Sequence, residues 1–186
     1  RIFRKKAEQY FRKQMELLTS AGFDALGIGS MEEPGFLREA GIELPMYFDQ
    51  GMYSWNHLAG AAMERYGADR LTIPVELNER EIRDSGAKGE MIVYGYLPMM
   101  ISAQCIRKTT IGCSGKSEIM WLKDRKDMRF TVVNQCRFCY NTIYNSAPLS
   151  LLGLSEQVTG LKPNAVRLNF TVEEPAAAGE ILDAFF

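Results

Sequence analysis

The segment from residue 97 to residue 148 reads LPMMISAQCIRKTTIGCSGKSEIMWLKDRKDMRFTVVNQCRFCYNTIYNSAP and contains all four cysteines of the chain. Seven residues separate Cys105 from Cys113, and two residues separate Cys136 from Cys139. Four thiols scattered at random along 186 residues would rarely fall within so short a segment. We therefore expect this segment to fold around a ligand that the four cysteines hold together.

Zinc and an iron–sulfur cluster are the main candidates for that ligand, because both bind several deprotonated sulfurs that converge from loops. The pair Cys136 and Cys139 favours such a site, since a two-residue spacer lets both sulfurs face one centre. A zinc ribbon has two short-spaced pairs, whereas Cys105 and Cys113 are farther apart. This difference favours an iron–sulfur cluster whose ligands come from several loops, with zinc as the alternative.

Two other interpretations of the cysteines stay open. Four cysteines can form two disulfides, and unpaired cysteines also serve as small buried apolar side chains. No signal peptide is visible, so we expect a cytoplasmic protein, for which disulfides are rare. No apolar run approaches the length of a membrane span, and no membrane partner is expected.

The composition indicates a globular protein. Hydrophobic residues make up 46% of the chain and charged residues 24%, which suits one domain over residues 1–186 with residues 97–148 as an insert. The net charge of −1 at pH 7 excludes binding of nucleic acid through a strongly basic field of the whole chain. The sequence begins with Arg1, and we expect it to be a piece of a longer protein.

Apolar runs that suit buried strands alternate with helical patterns along the chain. The predicted strands are residues 24–29, 44–48, 70–75, 90–94 and 166–170, and the main predicted helices are residues 1–20, 30–40, 58–66, 78–84 and 174–186. Within the insert, residues 119–123 and 129–133 alternate like a β-hairpin. The alternation predicts an α/β fold with a parallel sheet. A complete TIM barrel needs about 250 residues, so we expect an open sheet or part of a barrel.

Polar side chains follow the predicted strands, at the ends where parallel α/β proteins place their chemistry. Glu76 and Glu173 each come just after a strand and are candidate acids or bases. Asn56 is a third catalytic candidate. In the alternative interpretation both glutamates form structural ion pairs with Arg70 or Arg167. Asn56 would then cap the following helix.

A polar ligand is predicted to contact Asp49, Tyr53 and Arg167 at the same rim. His57 is the single histidine of the chain, and a lone histidine is more often a packed or surface residue than a catalytic base. The sequence contains no His-Glu-x-x-His zinc motif and no Gly-x-Ser-x-Gly nucleophile elbow. Proteolysis therefore has little support in the residues themselves.

Residues 90–105, EMIVYGYLPMMISAQC, resemble the signature of peptidase family U32, the collagenase-like proteins. Glu90, Gly95 and Cys105 stand at positions that match the signature. The departures are Ile92, Pro98 and Ala103, which replace an aromatic residue, a cysteine and a glycine. The resemblance continues in matching order through residues 71–77, 121–127, 145–149 and 167–173.

The resemblance implies the C-terminal half of a TIM-barrel-like domain, or about its last five strands. It also implies one of two activities. Some family members are collagenase-like peptidases, whereas others carry a 4Fe–4S cluster and take part in hydroxylation of tRNA, ribosomal RNA or ubiquinone. Cys105, Cys113 and Cys136 occupy positions like three of the cluster ligands in those members. Pro98 stands at the fourth, and we infer that Cys139 replaces the missing ligand.

Three functions follow as expectations. A peptidase acting on peptide follows from the family name, and a cluster-dependent hydroxylation factor acting on RNA fits the cysteines better. The third is a non-catalytic binding fragment stabilised by zinc. A half barrel leaves sheet edges exposed, so we expect pairing with a second copy or with the missing N-terminal half of the barrel.

Overall fold

The structure is a computed structural model that describes residues 7–86 and 88–185, without the side chains of residues 16 and 19. Its helices are α1 (Glu8–Ser20), α2 (Glu33–Glu39), α3 (His57–Tyr66), α4 (Glu79–Ser85), α5 (Ile106–Thr110), α6 (Ser155–Leu161) and α7 (Pro175–Phe185). Its strands are β1 (Leu26–Ile28), β2 (Met46–Phe48), β3 (Arg70–Leu71), β4 (Glu90–Gly95), β5 (Pro98–Ser102), β6 (Ile119–Lys123), β7 (Arg129–Gln135), β8 (Tyr140–Tyr144), β9 (Leu149–Ser150) and β10 (Ala165–Leu168). Residues 1–6 and 186, at the ends of two predicted helices, lie outside the described residues.

The strands form three sheets, and the predicted mixed α/β class is confirmed. The sheet orders are β1-β2-β3, β10-β4-β9 and β5-β8-β7-β6. The pairs within the first sheet are parallel, whereas those within the third are antiparallel. Among residues 7–86 and 88–185, every helix falls short of the length and apolar character that a membrane span requires.

The chain divides into two compact units. The first comprises Arg1–Ile92 and Ser155–Arg167, and the second comprises Val93–Leu154 and Leu168–Phe186. Strand β4 therefore runs from the first unit into the second. The description of residues 1–186 as one domain stays a prediction.

The core of the first unit joins the parallel sheet to the helices that connect its strands. Ile28 and Phe48 from the sheet pack with Leu37 of α2 and with Met52, and all four side chains are buried. Burying an apolar side chain of this size contributes roughly 1.5–3 kcal/mol. Since β2 and β3 are in register, Asp49 follows β2 at the sheet edge where Thr72 follows β3.

Local signals determine where α3 and α4 begin and end. Asn56 caps α3 by accepting a hydrogen bond from the Ala59 N–H (2.9 Å). At the start of α4, the Asn78 side chain accepts from the Glu81 N–H (3.1 Å) and the Glu81 carboxylate accepts from the Asn78 N–H (2.8 Å), which forms a capping box. Gly67 ends α3 in the left-handed conformation. Both helices consequently agree with their predicted limits to within one residue.

The cysteine segment of the second unit forms a four-stranded antiparallel sheet, where the sequence predicts a hairpin alone. Strands β6 and β7 form the predicted pair. In the turn between them, Asp124 Oδ1 accepts hydrogen bonds from the N–H groups of Lys126 (2.7 Å) and Met128 (3.0 Å). Neither strand contains a cysteine, and the four cysteines lie in the segments that flank these two strands. Strands β5 and β8 and helix α5 are the parts that the sequence patterns missed.

We predict that Gly95→Ala destabilises the protein by at least about 2 kcal/mol. Gly95 has φ +148°, and a Cβ there would lie 2.3 Å from the Asn169 carbonyl oxygen. Gly153→Ala is the matched control, because a Cβ at that glycine meets nothing within 4 Å. Its effect should stay within about 1 kcal/mol. The free energies of unfolding from urea denaturation measure both effects, and equal values for the two variants would contradict the close approach at Gly95.

Candidate metal centre

Strand register brings two of the cysteines to one end of the antiparallel sheet in the second unit. Ser102, Asn141 and Asn134 lie in one row across β5, β8 and β7. Strands β5 and β7 run in the same direction, since each is antiparallel to β8 between them. Cys105 follows the row by three residues and Cys136 by two, so both leave the sheet at the same end.

The other two cysteines lie where the neighbouring strands begin. Cys139 precedes Asn141 by two residues, and β8 starts at the end where β7 finishes. Cys113 lies between α5 and β6, and the first residue of β6, Ile119, pairs with Val133 near the end of β7. The segment between Cys113 and Cys136 forms the β6–β7 hairpin, so it begins and ends at the same end of the sheet.

The four cysteines line one cavity of about 400 Å³. The remaining lining residues are Ala103, Gln104, Lys108, Thr109 and Asn134. Desolvation raises the pKa of the Cys136 thiol, and the sulfurs of Cys113, Cys139 and Cys105 raise it further. The structure thus brings the four predicted metal ligands together, each as a free cysteine.

The separation of the sulfurs limits the size of the group that the cysteines could hold. Within the described ranges 7–86 and 88–185, no three Cys, His, Asp or Glu side chains are placed to hold a metal ion. Zinc binds sulfur at about 2.3 Å and therefore needs its four sulfurs close together. A 4Fe–4S cluster is several ångströms across, so its four cysteine ligands stay farther apart.

The backbone around Cys136 and Cys139 makes a tight reversal. Residues Cys136–Phe138 form a short 3-10 helix, and Cys139 adopts the left-handed conformation with φ 53° and ψ 49°. This conformation is uncommon for a residue other than glycine. The Cys139 N–H donates to the Cys136 carbonyl oxygen (3.2 Å), and the Cys136 N–H donates to Ser117 Oγ (3.2 Å). These bonds hold the two-residue spacer so that both cysteines border the cavity.

Two predicted substrate-binding residues, Arg167 and Asp49, meet in the first unit. Arg167 Nη1 donates to Asp49 Oδ1 (3.0 Å), Nη2 donates to Thr72 Oγ1 (2.7 Å), and Nε donates to Glu90 Oε1 (2.5 Å). The side chains of Arg167 and Glu90 are 26% and 20% exposed. Sequence reasoning assigned no role to Glu90 beyond its place in the signature. Each guanidinium nitrogen already donates within the protein, which favours a structural role for Arg167.

The other candidate residues of the first unit are each described by their own contacts and exposure. Asn56 is occupied as the cap of α3, in agreement with the alternative interpretation of that residue. Tyr53 is exposed, and its ring centroid lies 6.5 Å from that of Trp55. Glu76 is exposed, as is His57, the first residue of α3. The roles of Tyr53 and Glu76 stay predictions.

Glu173 lies beside two tyrosines of the second unit. Its Oε2 accepts hydrogen bonds from the N–H groups of Thr171 (2.5 Å) and Val172 (2.9 Å), whereas Oε1 is buried and has no hydrogen-bond partner among the described residues. Burial is the largest cause of a raised pKa at both Tyr94 and Tyr144, and the charge of Glu173 contributes at both. Its catalytic role stays a prediction.

We predict that Arg167→Met destabilises the protein by about 1–3 kcal/mol, because it leaves the carboxylates of Asp49 and Glu90 partly buried without a cation. Arg80→Met is the control, since the ion pair between Arg80 and Asp84 is exposed (90% and 71%). It should change stability by less than about 0.5 kcal/mol. Urea denaturation measures both, and a stability of Arg167→Met equal to wild type would show that the network is not structural.

Comparison with known families and proteins agrees with the signature in β4. The chain matches the family model for Peptidase family U32 over residues 2–173, a range that includes all four cysteines. No curated protein and no solved structure matches the chain. Because the family match extends over most of the sequence, the chain belongs to peptidase family U32.

Proposed function

We propose that the four cysteines bind a 4Fe–4S cluster and that the protein acts in cluster-dependent hydroxylation of RNA. The observation that carries the proposal is the cavity of about 400 Å³ that all four cysteines line. Four thiolates are the usual ligands of such a cluster. Among the described residues, no histidine, aspartate or glutamate lines this cavity, so its lining offers sulfur and not an acid–base pair.

This chain's own residues would hold the group and balance its charge. Cys105 precedes the first residue of α5, Cys113 lies in the loop after that helix, and Cys136 and Cys139 flank the tight reversal. A bound cluster would supply electron transfer, which no side chain here supplies. Lys108 on α5 lines the cavity and brings positive charge toward thiolate ligands. The thiolates must be reduced before loading, and a cytoplasmic location is therefore part of the proposal.

The parallel strands support the interpretation as part of a TIM barrel. Strands β1, β2 and β3 are parallel neighbours in chain order, joined through α2 and α3. A parallel bridge between Thr72 and Glu90 continues this order from β3 to β4. Successive parallel strands with helical connections are the repeating unit of that barrel. We therefore assign the strands to the C-terminal half of the family's barrel.

An exposed aromatic and basic surface on the antiparallel sheet supports RNA as the substrate. Trp121 on β6 is 66% exposed, and Lys123 lies two residues later on the same face. Lys123 pairs with Arg129 across the strands, and the turn adds Arg125 and Lys126. The turn also contains two aspartates, but the basic residues outnumber them and the hairpin has a net positive charge. Single-stranded nucleic acid binds to such surfaces by stacking of bases on aromatic rings beside phosphate-binding cations.

Peptidase activity is the second candidate, and the contacts around the single histidine give it less support. Ser54, His57 and Ser85 share the lining of a cavity of about 200 Å³ in the first unit. The Ser54 hydroxyl donates to the Thr72 carbonyl oxygen (3.5 Å), and the Ser85 hydroxyl donates to the Ile82 carbonyl oxygen (2.8 Å). A serine nucleophile must give its proton to a base. Neither of these hydroxyl protons is directed at His57.

We expect the anaerobically purified protein to be brown and to contain about four iron and four sulfide per chain. Cys105→Ser and Cys136→Ser should each lose more than half of the iron, because each removes a thiolate ligand. Thr110→Ala, on α5 but outside the cavity lining, is the control and should keep the wild-type content. Visible absorption with iron, sulfide and zinc analysis provides the measurement.

Two results would contradict the cluster. Stoichiometric zinc without sulfide, retained after anaerobic purification, would identify a zinc protein. Digestion of gelatin or casein by the wild-type chain, with the activity lost in Cys105→Ser, would instead support a peptidase that uses a cysteine.

We predict that Trp121→Ala weakens binding of single-stranded RNA by at least about fivefold, since base stacking on an aromatic ring contributes roughly 1–3 kcal/mol. Leu122→Ala is the matched control, because Leu122 is the next residue of β6 and its side chain lies on the opposite face. Fluorescence anisotropy with a labelled oligonucleotide measures both affinities. Equal weakening by the two substitutions, or no binding by the wild type, would count against this surface.

A further inference from the structure

Asn134, near the end of β7, is a buried polar residue whose side chain borders the cysteine cavity. It is 1% exposed, and its Nδ2 donates a hydrogen bond to Cys105 Sγ at 3.8 Å. Its Oδ1 is also buried and has no hydrogen-bond partner among the described residues. An amide in this position is more costly to bury than an apolar side chain of the same shape, such as leucine. Packing alone therefore does not account for Asn134.

The opposite residue, Asn141 on β8, provides an internal comparison. The two asparagines face each other in the strand register, and Asn141 is 0% exposed. Asn141 Nδ2 donates to the Gln104 carbonyl oxygen (2.7 Å), which anchors the backbone just before Cys105. The two amides thus share their burial and their row in the sheet. They differ in the acceptor, which is a backbone carbonyl for Asn141 and a cysteine sulfur for Asn134.

We propose that Asn134 is a positioning residue for the cluster: its Nδ2–H holds Cys105 as a ligand and raises the reduction potential of the bound group. This inference rests on the proposed function. Reduction adds one electron, and part of the added negative charge falls on the cysteine sulfurs. An N–H dipole directed at one sulfur stabilises that charge, and burial strengthens the interaction. Hydrogen bonds to sulfur are a known determinant of cluster potentials.

The test compares reduction potentials among four proteins, each purified anaerobically with its cluster. They are the wild type, Asn134→Leu, Asn134→Asp and Asn141→Leu. Leucine keeps the volume of Asn134 without a donor, and aspartate keeps the shape but turns an acceptor toward the sulfur. Both Asn134 variants should shift to a more negative potential, with aspartate giving the larger shift. Asn141→Leu should shift by less than a third as much as Asn134→Leu, because its hydrogen bond goes to a carbonyl.

Iron and sulfide content and thermal unfolding are measured on the same samples. An unchanged potential in Asn134→Leu, or an equal shift in Asn141→Leu, overturns the proposal. If the Asn134 variants lose the cluster, the iron and sulfide contents provide the test instead. Loss of iron and sulfide from both Asn134 variants, with retention in Asn141→Leu, supports the proposal. Equal loss from all three variants overturns it. A wild-type chain that takes up no iron and sulfide refutes the cluster itself, and the role of Asn134 with it. A loaded wild type with unshifted Asn134 variants refutes the role of Asn134 alone.

Discussion

The register of the antiparallel sheet is the constraint on which the cysteine cavity depends. Ser102, Asn141 and Asn134 occupy one row across three strands, and Cys105, Cys136 and Cys139 lie within three residues of that row. A slip of one residue between β7 and β8 would turn side chains to the opposite face and displace Cys136 relative to Cys139. Backbone hydrogen bonds across the strands therefore determine the separations of the sulfurs.

The same register decides which polar groups surround the cavity. Alternation along β7 places Asn134 on the face that carries Val132, and both side chains are buried. In this apolar setting a neutral amide is tolerated more easily than a charge, and its hydrogen bonds are stronger than at the surface. In the first unit, by contrast, Arg167 carries a positive charge that two carboxylates balance. The second unit thus places a buried amide beside a sulfur, whereas the first unit uses a partly buried ion-pair network to link its strands.

Membership of a peptidase family does not by itself determine the chemistry of the chain, because activity depends on the groups that a site brings together. The serine hydroxyls that share a cavity with His57 donate to backbone carbonyl oxygens. The cysteines, in contrast, converge on a cavity without acidic or histidine side chains in its described lining.

The sequence alone determined the features that depend on neighbours within a few residues. These are the capped limits of α3 and α4, the turn at Asp124 between β6 and β7, and the dense spacing of the cysteines in one segment. It did not reveal β5, since that strand begins with Pro98 and lacks alternation, and its extended conformation depends on pairing with β8. Nor did it find the partners of Arg167: the sequence suggested Glu76 or Glu173, whereas the contacts are with Glu90 and Asp49, at separations of 77 and 118 residues. Only the tertiary structure decided these pairings, because strand order and register bring together residues whose separation along the chain carries no local signal.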